Sequence, residues 1–135
     1  IKTLIHIPHS DHGNAWRIGG TEGGLTKGFT GGGIEVEFFG EKTTLPAGPA
    51  TLALRTGAAL LPSAAYFTER GVGHLGFIGA PMNCERQGKL RADVQRITQD
   101  LAYELEKLIQ RAPEQWHLLQ PNWPSDPGYE EATVA

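Results

Sequence analysis

The chain has 135 residues and a formal net charge of -3, enough length for one modest domain with a core. The charge balance, without a basic run or a series of stacking aromatics, excludes an electrostatic footprint for nucleic acid. The single cysteine, Cys84, excludes an internal disulfide and fits a reducing compartment. The chain also has no run of roughly 18 apolar residues to span a bilayer.

In chain order, Leu4, Ile5 and Ile7 predict one short strand, cut by Pro8. Residues 19–33 hold eight glycines in fifteen positions. Such a stretch loses much backbone entropy on folding and buries little, so it reads as loop. The texture changes at Ile34. Residues 34–38 alternate apolar and acidic, the period of a half-buried strand. Residues 40–44 read as a turn. Pro46 and Pro49 then open a helix running to Thr56, with Gly57 as its stop. Residues 60–67 and 74–80 read as two buried strands, and Gly71-Val72-Gly73 between them suggests a hairpin.

Residues 89–111 give the clearest periodicity. Leu90, Val94, Ile97, Leu101, Leu105 and Leu108 recur at spacings of three and four, with charges between them, and Pro113 ends the run. This is an amphipathic helix packing one face on the core. Its polar face mixes signs, unlike the basic face that anionic lipid prefers. Beyond Pro127 the tail is polar. The order strand, helix, strand, strand, long helix predicts an α/β fold with a mixed sheet and flanking helices. The few strands, and a first residue that is not Met, predict part of a larger protein.

Several residues are candidates for chemistry. His6, His9, Asp11 and His12 lie within seven positions. Three histidines and a carboxylate suit a divalent metal. Alternatively, His6 and Asp11 form an H-x4-D pair, in which the histidine takes a proton from a hydroxyl and the carboxylate orients it. A solvated histidine-rich loop is the third reading. Glu35 and Glu37 share one face of the predicted strand. They are either its solvated side or a site for a catalytic carboxylate. Arg55, near a helix C-terminus, is a dipole partner or a phosphate ligand. Gly19-Gly20 and Gly31-Gly32-Gly33 lack the Lys-Ser/Thr of a phosphate-binding loop. Ser63 and Ser125 have no nucleophile-elbow context. Trp116, His117, Trp123 and Asp126 form an aromatic and polar cluster that reads as a cap over the core.

Three blocks between residues 32 and 124 carry a resemblance. They are GIEVEFFGE at 33–41, LPAGPATLALRTGAALLP at 45–62 and PEQWHLLQPNW at 113–123. Together they resemble the C-terminal half of the lipid A biosynthesis acyltransferase family, over about two-thirds of the chain and in family order. The likeness is greatest to its actinobacterial phosphatidylinositol mannoside branch. The resemblance implies a partial glycerolipid-acyltransferase-like α/β fold. It implies acyl-CoA as co-substrate with no separate cofactor, and a glycolipid hydroxyl as acceptor. It also implies peripheral contact with the cytoplasmic face of the plasma membrane. It maps the glutamate that assists the family's histidine base onto Glu35. It assigns substrate-lining positions to Gly48 and Arg55.

The N-terminal segment departs from the family pattern. The family sets its motif in a Pro-His-x-Gly-Asn-Trp-Asp context. Here Pro8-His9-Ser10-Asp11-His12-Gly13-Asn14-Ala15-Trp16 echoes it with two extra residues and no Asp after Trp16. The base is therefore expected at His9, or at His6 with Asp11. The segment that should separate histidine and glutamate is short, and the family's Asp-Arg-Asp-Leu-Thr is missing. The expected organisation is an atypical Gly/His-rich segment at 1–31, the C-terminal part of an acyltransferase domain at 32–126, and a polar tail at 127–135. Two alternatives stand beside it. One is a non-catalytic remnant, and the other is a small metal-binding protein using its histidine-rich start.

Overall fold

The computed structural model describes residues 2–6, 33–68, 73–116, 118 and 121–129. The elements are β1 (Lys2–His6), β2 (Ile34–Phe38), β3 (Glu41–Leu45), α1 (Gly48–Thr56), β4 (Leu61–Phe67), β5 (His74–Ile78) and α2 (Leu90–Gln110), followed by a 3-10 turn, Pro113–Gln115. The chain forms the mixed α/β fold expected of it, with its strands divided between two small antiparallel sheets. One has the order β1-β4-β5 and the other is the hairpin β2-β3. The glycine-rich stretch before Gly33 and the predicted linker at Gly71 and Val72 lie outside the described residues.

Two expectations are corrected. The strand expected to be buried at 74–80 ends at Ile78 and is mostly exposed, because β5 is the edge of its sheet and leaves Leu75 and Ile78 to solvent. Residues 41–45 are a strand, and the turn is only Phe39-Gly40. Both of these residues have positive φ, at 53° and 80°. That is the pattern of a two-residue hairpin turn whose twist matches the flanking strands. Thr43 and Leu45 then alternate inward against exposed Lys42 and Thr44, so β3 mirrors β2.

The remaining boundaries follow local chemistry. Pro49 sits in the first turn of α1, where its missing N–H costs nothing, and Gly57 closes the helix in the left-handed region at φ 70°. Asp93, in the first turn of α2, reaches back to accept the N–H groups of Gln87 and Gly88, each at 3.2 Å. Burial disfavours its charge, but those donors and the guanidinium of Arg96 outweigh it. The carboxyl is held below the usual carboxylate range.

The core has two parts, both organised by α2. The first half of the helix places Val94 and Ile97 against Ala50, Ala53 and Leu60, around α1. The second half places Leu101, Ala102, Leu105, Leu108 and Ile109 against Val36, Phe38 and Leu45 of the hairpin and Ala64 and Tyr66 of β4. The Tyr66 hydroxyl donates to Leu108 O at 2.7 Å, tying the larger sheet to the end of α2. A strap at 121–126 closes the hairpin end. Trp123 stacks on Phe38 with ring centres 6.0 Å apart and donates its indole N–H to Phe38 O at 3.0 Å. Thr43 donates to Asn122 O, and Asp126 accepts the N–H groups of Asn122 and Trp123 at 2.7 and 3.0 Å. The predicted aromatic cap is thus built from Trp116, Trp123 and Asp126. His117 lies outside the described residues.

Candidate active site

Glu35 lies on β2, and the alternation of that strand decides where it points. Val36 and Phe38 face the core, so Glu35 and Glu37 face solvent. Ile34, one residue before Glu35, packs against the α1 cluster, so the start of the strand abuts that helix. Glu37 stands opposite Lys42 in the hairpin register, and Glu35 opposite Thr44. Lys42 reaches diagonally across, and its Nζ lies 2.9 Å from Glu35 Oε1. The hydrogen bond to Glu35, and then its charge, raise the Lys42 ammonium above the ordinary lysine value. Both side chains are more than half exposed, so solvent screens the pair.

The outer edge of β2 is not open. Gln95 Nε2 donates to Glu35 O at 2.6 Å. Gln99 pairs with the main chain of Glu37 in both directions. It accepts from Glu37 N at 2.9 Å and donates to Glu37 O at 2.8 Å. Glu106 accepts from Phe39 N at 2.7 Å. Three α2 side chains therefore stand in for a neighbouring strand along the β2 edge. For Gln95 and Gln99 the spacing matches, because two strand residues advance about 6.6 Å and four helical residues about 6 Å. Gln115 does the same for the main chain of Phe67, accepting from its N at 2.7 Å and donating to its O at 3.2 Å.

The other sequence candidates are placed as follows. Gly48 opens α1 and is half-buried, and Arg55 is exposed in its last turn. Seven residues of helix put them about 10 Å apart along the axis. The backbone of His6 ends β1 opposite Leu61 of β4. His9, Asp11 and His12 lie outside the described residues. Ser63 is buried and turned back onto Leu61 O at 3.2 Å. A shallow groove of about 400 Å³ runs between residues 80–83 and Asp100, Tyr103, Glu104 and Lys107 of α2. None of the assigned residues lines it.

Sequence reasoning misses Lys42, Gln95, Gln99 and Glu106. Lys42 is hidden when β3 is read as a turn. Gln95 and Gln99 are one turn apart on the polar face of α2, a spacing that is visible in the sequence without its purpose. Among the described residues, no group of three or more His, Cys, Asp or Glu is placed to hold a metal ion. Among them, too, no helix is long and apolar enough to cross a membrane.

A phosphatidylinositol mannoside acyltransferase of Mycobacterium tuberculosis strain H37Rv is 45% identical to the chain over 94 residues, 70% of this chain and 28% of the relative. One from Mycolicibacterium smegmatis is 43% identical over 97 residues, 72% of this chain and 30% of the relative. The chain therefore spans less than a third of the length of these curated relatives. The profile of the bacterial lipid A biosynthesis acyltransferase family matches residues 27–125, from just before β2 through the Trp123 strap. By that match over most of its length, the chain belongs to the bacterial lipid A biosynthesis acyltransferase family.

Proposed function

We propose that this chain serves an acyltransferase that moves a fatty acyl group from acyl-CoA to a hydroxyl of a mannosylated phosphatidylinositol. The observation that carries this reading is the 45% identity, over 70% of the chain, to a relative named for that acceptor class. In the reaction a histidine takes the proton of the acceptor hydroxyl. The oxygen attacks the thioester carbonyl, the C–S bond breaks, and CoA leaves as its thiol after protonation. The base is His9, or His6 with Asp11 as its carboxylate partner. Glu35 assists the histidine from β2, and Gly48 and Arg55 line the substrate side. Acyl-CoA is a co-substrate, and no separate cofactor takes part. The acceptor is a membrane lipid, so the protein works in peripheral contact with the cytoplasmic face of the plasma membrane.

A glutamate on a hydrogen-bonded hairpin supports this reading. Its backbone is fixed by α2, and its carboxylate lies beside Lys42 across the hairpin. The test is transfer of radiolabelled acyl chains from acyl-CoA to purified mannosylated phosphatidylinositol, followed by separation of the lipids. Label in the mannosylated lipid supports the reading. Label confined to free fatty acid, or none transferred, removes it.

A further inference from the structure

We infer that Gln95 and Gln99 are positioning residues for Glu35, acting through the β2 main chain. The inference rests on the functional reading of Glu35 given above.

β2 has a hairpin partner on one side only. On the other side, Glu35 O, Glu37 N, Glu37 O and Phe39 N are all taken by α2 side chains, at 2.6 to 2.9 Å. Strand and helix run in the same direction, because Gln95, Gln99 and Glu106 meet Glu35, Glu37 and Phe39 in order. A backbone carbonyl or N–H at this exposed edge would be satisfied equally well by water. What the side chains add is register, since each amide accepts one strand position and not the next.

Register decides which way Glu35 points. A slip of one residue would turn its side chain from the solvent face to the core face. Smaller play along the strand would move the carboxylate relative to Lys42 and change where it is presented. Gln95 holds the residue itself, and Gln99 holds the residue two positions on, which shares its face. The carboxylate is braced from the other side by Lys42 at 2.9 Å. Glu35 is thus held at its main chain by a helix and at its side chain by the hairpin. Misplacing a catalytic group by about 1 Å costs up to about a hundredfold in rate.

The test uses the full chain with Gln95→Met, Gln95→Lys, Gln99→Met and Glu35→Gln. Gln95 is exposed and lies in mid-helix, so Met there preserves the fold, and circular dichroism checks it. Met keeps the length of the side chain and removes the amide, whereas Lys restores a donor to Glu35 O. The expected result is a tenfold to hundredfold lower kcat for acyl transfer in Gln95→Met and Gln99→Met. The acceptor KM stays within about twofold, and Gln95→Lys regains most of the loss. A second readout does not depend on turnover. The Lys42 ammonium, followed by NMR of its Cε, titrates lower in Gln95→Met than in the parent, because the carboxylate it pairs with is no longer held. Parent kcat in Gln95→Met alongside a collapsed rate in Glu35→Gln overturns the inference and leaves the functional reading standing. Parent rate in Glu35→Gln removes the functional reading, and the inference with it. An unchanged Lys42 midpoint in Gln95→Met overturns the inference whatever the turnover.

Discussion

Lys42 Nζ lies 2.9 Å from Glu35 Oε1, diagonally across the β2–β3 hairpin. The pair couples the glutamate singled out in the sequence to a lysine on a strand whose residues read locally as a turn. The Lys42 ammonium is raised above its ordinary value of 10.5 by the hydrogen bond and the charge of Glu35. NMR titration of Lys42 therefore gives a midpoint above that value, and Glu35→Gln lowers it. The sign for stability follows. The contribution is complete below the unfolded lysine value and is lost as pH rises through the higher folded one, at alkaline pH. An identical midpoint in parent and variant would contradict the pairing.

The junction of α1 with α2 turns on Ile97, which is fully buried beside Ala50, Ala53, Leu60 and Val94. Ile97→Ala removes three carbons from a packed site and destabilises by about 2–5 kcal/mol. Urea unfolding followed by circular dichroism measures it. A loss below about 1 kcal/mol would mean that this part of the core is not packed as described.

Asp93 governs behaviour in acid. Its carboxyl is held low by the Gly88 and Gln87 N–H groups and by Arg96, against the burial that raises it. A depressed folded value stabilises the fold above the unfolded value, near 3.8, and the gain is lost as pH falls through the folded one. Thermal melts of the parent should therefore drop more between pH 6 and pH 3 than those of Asp93→Asn. Equal pH dependence in the two would show that the loop before α2 is not held by this carboxylate.

The strap at 121–126 is tied by Asp126 to the N–H groups of Asn122 and Trp123. These bonds hold the Asp126 carboxyl below the usual range. Asp126→Ala loosens the turn and releases the Trp123 ring from Phe38. Tryptophan emission then shifts to longer wavelength, while α2 keeps its helicity. An unshifted spectrum would mean that stacking on Phe38 alone secures Trp123.

Much of this arrangement is legible in the amino-acid sequence. The alternation in residues 34–38, the three-and-four spacing along α2 and the Pro-to-Gly span of α1 each follow from one local rule, and each marks its element to within two residues. β3 is hidden because Glu41, Lys42, Thr43 and Thr44 look polar throughout. Thr43 nonetheless faces inward, with its hydroxyl satisfied by Asn122 O. The Phe39-Gly40 turn is hidden for another reason. It needs positive φ at Phe39, a conformation bulky residues seldom adopt. The site is legible only in part. Glu35 can be named, but Gln95, which holds its carbonyl, comes from 60 positions away, and Gln99 reaches Glu37 from 62. No local pattern reveals a glutamine acting as a substitute strand.

Acyl transfer by the full-length protein and by its Glu35→Gln variant, with labelled acyl-CoA and mannosylated phosphatidylinositol presented in vesicles, decides the functional reading. Labelled glycolipid is expected from the parent. The rate in Glu35→Gln is expected to be about 10²- to 10⁴-fold lower, the range that applies when acid–base assistance is removed. Equal rates in the two proteins, or no labelled glycolipid from the parent, would contradict the role assigned to Glu35 and the reaction assigned to the chain.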